Sequence, residues 1–182
     1  MEKVADKFKE LEEISEYNQQ KVLSSYILHQ VSETHFVPTT GYGYGDRGRD
    51  ALDEILADIM GAEDALIRHS IVSGTHAIAI ALFAILRPGD TLLAATGAPY
   101  DTLDKVIGHT EPSAGSLAEY GVKYSQVELD NNQNPDLEAI KSALLNDETI
   151  KMVHIQRSRG YNTRPSLTID WIERIVHVVR SV

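Results

Sequence analysis

Ser73-Gly74-Thr75-His76 follows an apolar run, Ala65 to Val72, and opens an alanine-rich stretch that ends at Arg87-Pro88-Gly89-Asp90. Strand, tight turn and helix start in that order make an anion site. The first helical turn leaves backbone N–H groups unpaired and carries partial positive charge, so a phosphate is held there without a lysine. Gly74 allows close approach of the backbone, and Ser73 or Thr75 can cap the helix and offer a hydroxyl to a phosphate oxygen. An ordinary capped helix uses the same residues, so the reading depends on what stands beside them.

Two further loops carry matching chemistry. The run Thr91 to Ala95 is followed by Gly97-Ala98-Pro99-Tyr100-Asp101-Thr102, and Lys151 to Gln156 by Arg157-Ser158-Arg159-Gly160-Tyr161 and then Arg164-Pro165-Ser166. Tyr100 offers a flat face on which an aromatic ring can stack without added charge, or is simply a half-buried loop tyrosine. Arg157 and Arg159 present forks that match a carboxylate, or pair with surface acids. His76 lies just inside the helix start, and a solvated or core-satisfied imidazole suits it as well as a ligand role. The remaining histidines show no metal-ligand spacing, and Ser113 to Ser116 lacks the glycine-flanked nucleophile pattern, so neither a metal site nor a catalytic triad is expected.

The elements that must position these loops follow from periodicity. Ala65–Val72, Thr91–Ala95, Val122–Leu129 and Lys151–Gln156 read as strands. They are separated by helical stretches at Thr75–Leu86, Asp101–Gly108 and Pro135–Leu145, and followed by one at Thr168–Val182. Strict alternation predicts an α/β fold with a mainly parallel sheet and flanking helices, whose ligands gather at the carboxyl ends of the strands. The apolar body of the helix after Gly74 predicts that it is buried. Ahead of this domain, Glu2 to Val31 has apolar residues such as Phe8, Leu11 and Ile14 at helical spacing and should form one or two helices. Thr39 to Gly48, rich in glycine around Tyr42 and Tyr44, reads as a shaped loop before a helix at Asp50 to Met60. The division expected is 1–45, a helical arm with the Gly/Tyr loop, and 46–182, the α/β domain.

Composition narrows the partners. The 182 residues carry a formal charge of −10 and scattered basic residues, which argues against a nucleic-acid surface. There is no cysteine, hence no disulfide framework or thiolate metal site. Met1 leads straight into charged helical sequence with no secretory signal or long apolar span, so a cytoplasmic protein away from membranes is expected.

Taken together, Gly41-Tyr42-Gly43-Tyr44-Gly45-Asp46-Arg47-Gly48-Arg49, Ile71-Val72-Ser73-Gly74-Thr75-His76-Ala77, Leu86-Arg87-Pro88-Gly89-Asp90, Pro99-Tyr100-Asp101-Thr102-Leu103 and Gln156-Arg157-Ser158-Arg159-Gly160-Tyr161 occur in one order. In this respect the chain resembles the aluminium-resistance, methionine gamma-lyase-like family of fold-type-I enzymes that use pyridoxal 5′-phosphate. The resemblance implies the amino-terminal part of such an enzyme's large domain, and a C–S lyase acting on a sulfur-containing amino acid, assembled as a homodimer or tetramer. It further implies that Ser73, Gly74 and Thr75 hold the cofactor phosphate and that Tyr100 stacks on its ring. Tyr42, Tyr44 and Arg47 would reach the phosphate of a neighbouring subunit, and Arg157, Arg159 and Tyr161 would contact substrate.

The departure from the family pattern is the lysine that forms the Schiff base and the acid that pairs with the pyridine nitrogen, both of which lie on later strands in the family. Lys105, Lys123, Lys141 and Lys151 do not match that segment, so no catalytic residue is assigned. Weak or no cofactor binding and no activity are expected of 1–182 alone. In the family the strand before the phosphate turn also pairs with a later segment, which leaves 65–72 with an unpaired edge. Two other readings stay open: a non-catalytic remnant or oligomerisation partner, and an unrelated phosphate or nucleotide binder, which lacks a Walker or Gly-x-Gly-x-x-Gly fingerprint.

Overall fold

The computed structural model describes residues 4–42, 44–111 and 113–182. Gly43 of the Gly/Tyr motif and the start of the N-terminal helical stretch lie outside them. The chain divides into two compact units, Met1–Ile71 and Val72–Val182.

In the first unit the expected helical arm is one 24-residue helix, α1 (Ala5–Leu28). Phe8, Leu11 and Ile14 keep their helical spacing but are exposed, while Ser25 near the end of the helix is buried. A 3₁₀ turn, Glu33–Phe36, leads toward α2 (Arg47–Met60), which Asp46 caps by accepting from the Arg49 N–H at 3.2 Å. The helix ends at Gly61, whose φ of 65° is the left-handed conformation that suits a C-cap glycine.

Between Ala65 and Val72 the expected strand does not form. A strand exists only through a ladder partner, and no described segment pairs with this one. Instead the N–H of Ile67 donates to Asp53 Oδ1 at 2.7 Å, and Arg68 Nη1 donates to both oxygens of the same carboxylate at 2.9 and 2.8 Å. The apolar composition of the run therefore does not bury it: Leu66 and Val72 are exposed.

The second unit is built on a three-stranded sheet of order β2-β1-β3, with β1 at Thr91–Ala94, β2 at Lys123–Gln126 and β3 at Ile150–His154. Both pairings are parallel, as the alternation of elements requires. The central strand is buried along its whole length, and its neighbouring leucines serve different cores. Leu92 packs with Leu82, Leu103 and Leu117, whereas Leu93 packs with Val127, Ile140 and Ile175. Residues adjacent in a strand point to opposite faces, so helices are needed on both. Leu82 belongs to α3 (Gly74–Ile85), Leu103 to α4 (Asp101–Ile107), Ile140 to α5 (Leu137–Asn146) and Ile175 to α6 (Ile169–Arg180).

The α3 helix departs from expectation in one respect. Its sequence is apolar nearly all round, yet only Leu82 is fully buried, while Ile78 and Phe83 pack partly and Ile80 and Ile85 are exposed. No helix of the described residues is long and apolar enough to cross a membrane.

Candidate functional site

The parallel sheet brings the loops after β1 and β3 to the carboxyl edge of its strands, and the start of α3 meets the first of them through Thr75. At that helix start, Ser73 is the N-cap of α3, and its Oγ accepts from the His76 N–H at 3.1 Å. His76 answers by accepting from the Val72 N–H through Nδ1 at 3.4 Å, so this imidazole closes the cap. The N–H groups of Gly74 and Thr75 have no acceptor among the described residues. A Cβ built on Gly74 would meet nothing within 4 Å, so the approach to the helix start is open.

Thr75 links this start to the loop after β1. Its Oγ1 lies 3.3 Å from the Tyr100 hydroxyl and 3.3 Å from Thr102 Oγ1. Tyr100, half-buried, is the N-cap residue of α4, and its own N–H donates to Oε1 of Gln156 at 3.0 Å. Tyr100 also lines a cavity of about 430 Å³ together with Asp104, His109, Gln126, Arg159 and Tyr161. Arg159 and Tyr161 thus share a cavity with Tyr100, while Arg157 does not line it.

Burial shifts two groups in the strands that flank β1. Burial, with Asp104 and Glu128 nearby, pushes the Tyr124 phenol up to about 12, and its hydroxyl donates to Gln126 Oε1 at 2.6 Å. The ring of His109 stacks on it at a centroid distance of 4.3 Å. Burial lowers His154, at the end of β3, below the ordinary imidazole value, which favours its neutral form.

Gln156 and Arg164, which the sequence places at the end of the last strand and in the loop after it without a role, take one in the fold. Both are buried, and burial lowers the Arg164 guanidinium from its ordinary value.

Tyr42, Tyr44 and Arg47 belong to the first unit and are exposed. Their loop is shaped by Asp46, which accepts from the Thr39 hydroxyl at 2.9 Å and pairs with Arg49 Nε at 3.0 Å; Arg49 Nη1 reaches the Gly41 carbonyl at 3.4 Å. Arg49 is therefore committed to the loop, and among the described residues Arg47 takes no part in that network. No group of histidines and acids among the described residues could hold a metal ion.

A family model described as methionine gamma-lyase matches residues 1–182. The chain belongs to the methionine gamma-lyase family.

Within the methionine gamma-lyase family it is similar to a carbon-sulfur lyase involved in aluminium resistance from Clostridium novyi. The identity is 48%, the TM-score 0.93, and the match covers 100% of this chain and 43% of that one. It is also similar to a Clostridium acetobutylicum protein whose name proposes a cystathionine beta-lyase involved in aluminium resistance, at 47% identity and TM-score 0.94, again covering 100% and 43%. The uncharacterized protein YnbB of Bacillus subtilis is 48% identical over 180 residues, which are 98% of this chain and 42% of that protein. The chain thus spans less than half the length of these relatives. At 22% identity and TM-score 0.62, the pyridoxal-5′-phosphate-dependent protein YhfS from Escherichia coli shares the fold.

Proposed function

We propose that this chain carries the phosphate-and-ring part of a pyridoxal 5′-phosphate site in a cytoplasmic lyase that cleaves the C–S bond of a sulfur-containing amino acid. The observation that carries the reading is the meeting of Thr75 and Tyr100, which joins an open helix start to an aromatic platform beside a cavity. The donor set suits a phosphorylated ring: two N–H groups without acceptors at Gly74 and Thr75, the Ser73 and Thr75 hydroxyls, and an unobstructed approach at Gly74. Ser73, Gly74 and Thr75 would hold the phosphate and Tyr100 would face the ring. When bound, the cofactor supplies the electron sink that C–S cleavage needs.

This chain's own residues bind and orient. Arg159 and Tyr161, on the shared cavity, would receive the substrate carboxylate, with Arg157 a weaker candidate because it lies outside the cavity lining. Tyr42, Tyr44 and Arg47, exposed on a loop held by Asp46 and Arg49, suit contact with a second copy in a homo-oligomer. No catalytic residue is assigned. Lys105 and Lys141 lie on α4 and α5, Lys123 and Lys151 lie toward the amino-terminal ends of β2 and β3, and none lines the cavity.

Titration of residues 1–182 with pyridoxal 5′-phosphate, followed by amide chemical shifts, tests the site. In keeping with the weak binding expected of 1–182 alone, the expected result is movement at Gly74, Thr75, His76 and Tyr100 that saturates only at millimolar cofactor, and much weaker movement with unphosphorylated pyridoxal. Shifts confined to other regions, or none at millimolar cofactor, overturn it.

A further inference from the structure

The loop after β3 closes around a cation with no acid. Arg164 is 5% exposed, and its guanidinium donates to three main-chain carbonyls: Nη2 to Gln156 O at 3.1 Å and Ser158 O at 2.8 Å, Nη1 to Pro165 O at 3.1 Å. No carboxylate stands within ion-pair distance of it among the described residues. Withdrawing a charge from water without a counter-ion is costly, and carbonyl dipoles only partly offset that cost. A neutral side chain would fill the space more cheaply, so what the guanidinium adds is geometry: a planar fork that gathers three carbonyls of one loop.

The buried Gln156 carries that geometry to the neighbouring loop. Its backbone carbonyl is one of the three on Arg164, and its backbone N–H donates to Thr96 Oγ1 at 3.2 Å. Its side chain faces both ways, Nε2 donating to Ser158 O at 3.0 Å and Oε1 accepting from the Tyr100 N–H at 3.0 Å. Ser158 O is therefore shared by Arg164 and Gln156. Gly160 supports the same contact: at its φ of +57° an added Cβ would stand 3.5 Å from Tyr100 Cβ and 3.8 Å from Gln156 Nε2.

We propose that Arg164, acting through Gln156, is the residue that positions Tyr100. Its functional meaning rests on the reading of Tyr100 as the cofactor platform, whereas the positioning itself does not. Neither side chain touches the cavity that Tyr100 lines, so both act at one remove.

Amide hydrogen exchange on residues 1–182 reads the positioning without cofactor. In Gln156→Leu and in Arg164→Met the Tyr100 amide is expected to exchange roughly tenfold faster, with Leu92 and Leu93 unchanged. Unchanged exchange at Tyr100 in either Gln156→Leu or Arg164→Met overturns the proposal. If those variants lose protection throughout the sheet, Arg164→Lys decides, because it keeps the charge and loses the fork. Faster exchange confined to the Tyr100 loop supports the proposal, and wild-type exchange overturns it.

A double-mutant cycle with pyridoxal 5′-phosphate affinity separates positioning from general support. Gln156→Leu should weaken binding about tenfold with Tyr100 present and no further when Tyr100 is alanine. Losses that multiply overturn the coupling. Altered exchange at Tyr100 with no cofactor binding by the wild-type chain would leave the positioning intact and sink the cofactor reading.

Discussion

Nε2 of His29 lies 2.7 Å from Oδ2 of Asp58, and Nδ1 of the same ring lies 2.9 Å from Glu54 Oε2. Two carboxylates on successive turns of α2 therefore hold the residue that ends α1, and satisfying both requires a proton on each ring nitrogen.

This clamp has a defined pH window. The bond to Asp58, followed by its charge and by Glu54, raises His29 above its ordinary 6.5 in spite of desolvation. That stabilisation is fully present below the unfolded value and is lost as pH rises through the raised one. Asp58, lowered from 3.8 first by its bond to His29, contributes above 3.8 and loses its contribution as pH falls through its depressed value. The thermal midpoint of residues 1–182 should fall from about pH 6 to pH 9. His29→Gln should remove that slope, and a slope unchanged in the variant would refute the clamp.

Asp53 organises the segment before α3 by accepting from the Ile67 N–H and from Arg68. Asp53→Ala leaves both donors without this partner and should cost about 2 kcal/mol in urea unfolding. Asp53→Asn, which keeps one acceptor oxygen, should cost less.

Gly108 ends α4 with φ +75°, and a Cβ there would lie 2.5 Å from Ser116 Oγ and 2.7 Å from Ser116 Cβ. Gly108→Ala combines backbone strain with overpacking and should lose about 3 kcal/mol. Pairing it with Ser116→Gly should recover part of the loss, measurable by the same unfolding curves.

At Tyr100 the ring and the hydroxyl are separable. Tyr100→Phe removes only the 3.3 Å contact with Thr75 and should change pyridoxal 5′-phosphate affinity by about threefold or less. Tyr100→Ala removes the platform and should weaken binding by about tenfold. Equal effects of the two variants would deny the ring its role.

Tyr124, held near 12, should ionise above the ordinary tyrosine value of 10.0. Ultraviolet difference titration should lose its most alkaline component in Tyr124→Phe. An unchanged titration curve would contradict the burial of this phenol.

What the sequence made legible was local. Ser73, Asp46, Asp136 and Thr168 each accept from an N–H in the helix they start, and Gly61 and Gly108 end helices in the left-handed conformation. Such signals act within a few residues, and the helices expected at 50–60 and 135–145 begin within three residues of those observed. Residues 65–72 misled because a strand is a relation between two segments, and the composition of one does not supply the other. The burial of α3 misled because a helix apolar all round does not say which face is covered. For the candidate site, turn and loop chemistry is what marks Ser73, Thr75 and Tyr100 in the sequence. Gln156 and Arg164 were missed because their roles lie in folded contacts, the bond from Tyr100 to Gln156 spanning 56 positions. That Arg159 and not Arg157 lines the cavity with Tyr100 is likewise a folded relationship.

The order β2-β1-β3 places the earliest strand at the centre. During synthesis Thr91–Ala94 leaves the ribosome first, while the partners that cover its two edges begin only at Lys123 and Ile150. At the pace of translation this apolar segment waits on the order of seconds with both edges open. Until His154 emerges, the nascent chain therefore carries this apolar strand with at least one edge unpaired.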